Sequence, residues 1–216
     1  MKKTYLCVLV IVIASTTQAQ FDASNLSASL SGNYTMYKGY FQQKTPGVKI
    51  DLGYSINEKL RVSLGYTYHA PLKEASIIAT TNGTDSKDEV SEIKYTFSTI
   101  SLACNYTFIG TEEDVFSIYA PVGVSYVSVK YSEKMKGAAT SGYTALDQLE
   151  PGKESGFTIN LGLGAQYNIG KLRLFGDAGI ALPANQQNGQ YVENNIPSHF
   201  VFNAGVRIPF GERSSD

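Results

Sequence analysis

The chain has 216 residues, a formal net charge of -1 and only 17% charged residues. That balance gives no basic footprint for nucleic acid, and the charged share lies below the ~25% of ordinary soluble domains. A mean hydropathy of -0.14 excludes a bundle of membrane helices, while the length suits one domain of the β-barrel or sandwich kind.

The amino end reads as a signal peptide, residues 1–19. Lys2 and Lys3 give a positive start, Leu6 to Ala14 an apolar core, and Thr17-Gln18-Ala19 a small-x-small cleavage site. The apolar run is too short to span a bilayer. Cys7 falls inside this leader, which leaves Cys104 without an intrachain partner. Residues 20–216 form the single remaining domain.

Eight strands are predicted after the leader, each alternating between apolar and polar residues. Successive side chains on a strand face opposite sides of the sheet. The first, 26–37, sets Leu26, Ala28, Leu30, Tyr34 and Met36 against Ser27, Ser29, Ser31 and Asn33. A long polar stretch, 38–47, follows. The second, 48–56, carries Val48, Ile50, Leu52, Tyr54 and Ile56. A tight turn at Asn57-Glu58-Lys59 leads to the third, 60–70, with Leu60, Val62, Leu64, Tyr66 and Tyr68. Residues 71–92 read as a long solvated loop. The fourth strand, 93–109, carries Ile100, Leu102, Cys104, Tyr106 and Phe108. Its upper part, with Ile93, Tyr95 and Phe97, is out of parity with Ile100. A bulge near Ser98 explains that, and so does extension of the strand beyond a membrane. Val127, Val129 and Tyr131 pose the same choice on the fifth strand, 115–131, which begins after the turn Gly110 to Asp114. Another long loop, 132–154, precedes the sixth strand, 155–169. Gly170-Lys171 joins it to the seventh, 172–183. A last long stretch, 184–197, precedes the eighth, 198–210.

Short turns therefore collect at one end and long loops at the other, which is the layout of a transmembrane barrel. Each apolar face covers ~9–13 residues, close to the ~9–11 that a tilted strand needs to cross hydrocarbon. No Lys, Arg, Asp or Glu intrudes on it, where one at mid-bilayer costs roughly 2–4 kcal/mol. Aromatics gather where the bilayer ends. Tyr54, Tyr106, Phe108, Phe116, Tyr167 and Phe210 lie near the short turns; Tyr34, Tyr66, Tyr68, Tyr126, Phe157 and Phe200 lie near the loops. Two such girdles mark the interfaces of a membrane barrel. The predicted fold is thus all-β, an eight-stranded antiparallel up-and-down transmembrane β-barrel.

Alternation alone leaves open a soluble lipocalin-like barrel with its greasy face inside. The polar face decides. It consists mostly of Ser, Gly, Thr and Asn rather than Lys and Glu, which suits the narrow lumen of eight strands. The charges Lys49, Asp51, Arg61, Arg173, Asp177 and Arg207 share that face, with Asn203, His69 and His199. Buried charges demand partners, so these groups are expected to form a lumen polar network. It reads either as a plug that fixes the barrel or as a gate or narrow proton or ion path.

The final run, Val201-Phe202-Asn203-Ala204-Gly205-Val206-Arg207-Ile208-Pro209-Phe210, is similar to the terminal signal of the small bacterial outer-membrane β-barrel family, of the OmpA-barrel and OmpX kind. The resemblance covers nearly all of the chain after the leader and rests on layout. It implies residence in the outer membrane of a Gram-negative bacterium. It also implies contact with outer-membrane lipids and lipopolysaccharide, and reading of Phe210 by the barrel assembly machinery. Gly211 to Asp216 extend past that Phe, a departure from the family pattern.

Chemistry is sparse. Neither histidine sits in a His-x-Ser pair like that of the lipid A deacylase barrels, and Ser198-His199 with Glu193 is the nearest approach to a triad. No Cys/His cluster has metal spacing, Gly162-x-Gly164 is a strand pattern rather than a nucleotide loop, and no cofactor is expected. The reading is a non-enzymatic barrel with a structural or surface-interaction role. A narrow porin and a lipid A-modifying enzyme are the alternatives.

Overall fold

A computed structural model describes residues 22–37, 44–136, 143–146, 149–184, 196 and 198–211. The expected leader, most of the first and last long loops, Glu193 and the tail 212–216 lie outside the described residues.

The alternating stretches become strands that pair antiparallel throughout. They are β1 Leu26–Tyr37, β2 Lys44–Asn57, β3 Leu60–His69, β4 Leu72–Thr81, β5 Ser86–Ile109, β6 Phe116–Met135, β7 Thr144–Ala145, β8 Gly152–Ile169, β9 Leu172–Pro183 and β10 His199–Pro209. β1 pairs with both β2 and β10, and β3 pairs directly with β5 from Leu60↔Tyr106 to Tyr68↔Ser98. Eight strands, β1-β2-β3-β5-β6-β8-β9-β10, thereby close on themselves. β4 and β7 stand outside that ring, β4 on the upper half of β5 and β7 on the end of β4.

The register puts like with like. Ile50, Leu30, Val206 and Leu174 form one row across four strands, while Asp51, Ser29, Arg207 and Arg173 form the next. The rows differ sharply in exposure: Leu64 and Leu163 are 58% and 57% exposed, Ser29 and Ser31 only 4% and 3%. Water disfavours a continuous apolar exterior of this extent, and closure leaves no unpaired edge along the ring. Lipid is the solvent in which such a wall is stable. The small inward residues are what allow the strands to approach across the lumen.

The expected long loops need correction: within 132–154, β6 runs on to Met135, β7 is Thr144–Ala145 and β8 begins at Gly152. The segment 71–92 is not a loop but a hairpin of β4 with β5. Its turn is Asn82-Gly83, where Asn82 Oδ1 accepts from Thr84 N at 2.9 Å and Asp85 N at 2.7 Å and Gly83 adopts φ 91°. Asn-Gly between alternating strands is a strong hairpin signal. Of the two readings offered for the upper fourth strand, a bulge near Ser98 and extension, the ladder supports extension. The β5–β6 ladder runs unbroken from Ser91↔Met135 to Thr107↔Tyr119, and its irregularity lies at Thr107/Ile109, by the short turn. Parity is continuous, so Phe97, Val127 and Val129 point inward and are buried. The strand extends past the membrane, and there its inward face turns apolar.

Candidate functional site

The bore is organised in three levels. At the short-turn end, Glu112 folds back from the Gly110–Asp114 turn into the mouth and is only 4% exposed. Its carboxylate accepts from Ser55 Oγ at 2.5 Å and lies 3.4 Å from Arg173 and 3.9 Å from Arg207. The turn is tied down by its backbone. Glu112 N donates to Glu58 O at 2.9 Å, and Glu112 O accepts from Gln166 Nε2 at 3.1 Å and Asn168 Nδ2 at 2.9 Å. Arg207 donates to Gln166 Oε1 at 2.6 Å and lies over the Phe175 ring at 5.1 Å.

The middle level holds two polar groups. Arg61 bridges Asp51 Oδ1 at 3.1 Å and Ser27 Oγ at 3.2 Å, with Lys49 at 3.9 Å from the other Asp51 oxygen. Asn33 donates to Asn203 at 2.8 Å, Asn203 to Asp177 at 2.7 Å, and Tyr119 to the second Asp177 oxygen at 3.2 Å. Between these groups lies a cavity of about 110 Å³, room for a few waters.

At the loop end an apolar cap fills the bore. Tyr37, Phe97, Val127, Val129 and Ile196 form its buried cluster. Tyr37 stacks on Phe97 at 4.7 Å, and His199 tilts against Tyr37 at 4.8 Å. His69 contacts Thr45 Oγ1 through Nδ1 at 3.0 Å and meets Phe97 edge-on at 6.3 Å.

The expected lumen residues Lys49, Asp51, Arg61, Arg173, Asp177, Asn203 and Arg207 thus occur in three separate clusters, while His69 and His199 belong to the cap. Glu112 was not anticipated, because alternation fixes the direction of a strand side chain but not of a turn side chain. Tyr119 and Gln166 sit on inward parity and were legible in principle. Outside, the anticipated aromatics all lie on the apolar wall; Tyr126 and Phe157 touch at 5.3 Å between centroids. Among the described residues no group of three or more His, Cys, Asp or Glu is placed to hold a metal ion.

Comparison with known proteins agrees with this architecture. The family model for the outer membrane protein beta-barrel domain matches residues 5–181. Neisserial surface protein A superposes with a TM-score of 0.55 at 14% identity, over 86% of this chain and 97% of that one. The N-terminal β-barrel domain of OprF from Pseudomonas aeruginosa gives 0.47 at 14% identity, over 84% and 96%. A major outer membrane protein from Thermus thermophilus gives 0.46 at 14%, over 85% and 99%. No curated protein sequence matches the chain.

Proposed function

The chain belongs to the outer membrane protein β-barrel domain family, and from that premise we propose that it is a closed structural barrel that displays its β4–β5 hairpin outside the cell. Its place is the bacterial outer membrane. The observation that carries the reading is Glu112 at the lower mouth, paired with Arg173 and Arg207. With the aromatic cap above, it places side chains across both ends of the bore. The charges then serve to hold strands from opposite sides of the ring together. On this reading the barrel assembly machinery inserts the chain, with Phe210 as its terminal aromatic.

A narrow porin is the second reading, favoured by the charged lining of the cavity. Planar-bilayer recording separates the two. A structural barrel gives no steady current above baseline in molar potassium chloride. A sustained open state of the unmodified protein overturns the proposal in favour of the porin.

A further inference from the structure

The inward charges do not balance. Among the described residues of the bore, Lys49, Arg61, Arg173 and Arg207 stand against Asp51, Asp177 and Glu112. Glu112 serves both Arg173 and Arg207. Asp51 serves both Arg61 at 3.1 Å and Lys49 at 3.9 Å. Each of these two groups therefore carries a surplus positive charge. Asp177 is held by neutral donors, Asn203 at 2.7 Å and Tyr119 at 3.2 Å, and its charge offsets only one surplus. Buried charges without a counterpart are strongly destabilising, so the remaining positive charge calls for a partner.

Lys49 is the cation whose ion pair is weakest, and its surroundings consist of donors. In register with it are Ser31 on β1, Thr67 on β3 and, one strand further, Thr99 on β5. This inward row holds one ammonium, three hydroxyls and no carboxylate. Lys49, Thr67 and Thr99 line the middle cavity of about 110 Å³. Ser31, beside Lys49, is 3% exposed, and its Oγ has no hydrogen-bond partner among the described residues. An ammonium offers three donors and a hydroxyl one. Water can accept from such a row but leaves the charge uncancelled. A small monovalent anion does both, and the cavity has room for one with a few waters.

We propose that the middle cavity holds one monovalent anion of halide size, seated on the Lys49 ammonium and the hydroxyls beside it in that row. One such ion brings the bore to neutrality. Its bond to the ammonium is charge-assisted and so stronger than that of a neutral water. Such a site needs the charged rows to face the bore; it does not need the bore to be open or closed.

The test folds the full chain from urea into detergent micelles in sodium chloride or, at equal concentration, in sodium lactobionate. Lactobionate is a disaccharide acid too bulky for a cavity of this size. The urea midpoint of unfolding is read by circular dichroism. An anion that binds only the folded state adds an equal step of stability for every tenfold rise in its concentration above Kd. The midpoint of the unmodified protein should climb in that way in chloride relative to lactobionate. K49Q removes the surplus charge. Its midpoint should be the same in both salts, and at or above that of the unmodified protein in lactobionate. K59Q, at the short turn outside the bore, should keep the full chloride response. Equal midpoints of the unmodified protein in the two salts overturn the proposal. So does a K49Q protein that keeps the chloride response. A K49Q protein less stable than the unmodified one in lactobionate also overturns it, since Lys49 is then a partner for Asp51 rather than the seat of an ion. Each sample is also run unheated and boiled on a gel. A normal heat shift without a chloride response sinks the anion site alone, whereas loss of the shift in the unmodified protein sinks the barrel reading beneath it.

Discussion

The Glu112 side chain ties a turn to the ring. It joins the β5–β6 turn to Ser55 of β2, Arg173 of β9 and Arg207 of β10. Removing one partner of a buried charge cluster leaves the rest uncompensated, typically a loss of about 3–5 kcal/mol. Glu112→Ala is therefore expected to lower the guanidinium unfolding midpoint in detergent, and Glu112→Gln, which keeps a hydrogen-bond acceptor, to lower it less. Gly53 is the second sensitive residue. A Cβ there would overlap the buried Arg61 guanidinium, which Asp51 and Ser27 hold in place, whereas one at Gly32 meets nothing nearer than 3.9 Å. Gly53→Ala should cost about 1–3 kcal/mol by overpacking, and Gly32→Ala should be close to neutral, both read from the same unfolding curves. Asp51 and Arg61 were legible in the sequence because strand parity aims them inward. Glu112 was not, since a turn residue answers to its backbone tethers. The division of the lumen charges into separate clusters was equally hidden: it depends on inter-strand stagger, which one strand read alone does not reveal.

At the level of elements, the eight ring strands were readable because each must present an unbroken apolar face. Their upper ends were not. Once β5 and β6 rise past the hydrocarbon, the outward face turns polar and the inward face apolar at Phe97, Val127 and Val129. The pattern inverts without any break in the ladder. The hairpin was missed for a related reason: Ile77 and Val90 pair on its exposed side, and Lys, Glu and Asp around them imitate a loop. Because β3 pairs with β5 directly, the hairpin lies outside the closed ring. Replacing residues 73–91 by a short Gly-Ser turn should thus leave the heat-dependent gel shift intact. Loss of the shift would show that the hairpin is needed for closure. On β8, Leu163 faces out and Asn160 faces in, bonded to Ser125 at 2.5 Å. Leu163→Arg places a charge in mid-bilayer, roughly 2–4 kcal/mol, and should reduce the assembled fraction in the outer membrane. Asn160→Ser should be mild in the same fractionation assay.

For the whole molecule, the wall and the bore exchange the usual roles of surface and core. Apolar rows face out and serine, glycine and paired ions face in, an arrangement stable where the surrounding solvent is acyl chain. β5 offers the most direct check, since Cys104 lies on the outward row with Val62 and Val122 as its neighbours. Nitroxide labels are placed singly at positions 100 to 106, with Cys7→Ala throughout and Cys104→Ala wherever another position carries the label. The folded protein in phosphatidylcholine bilayers is then probed for collisions with oxygen and with an aqueous nickel chelate. Oxygen collision should peak at 100, 102, 104 and 106 and fall at 101, 103 and 105, with the chelate excluded from the even positions. Peaks at the odd positions, or chelate reaching Cys104, would contradict the account.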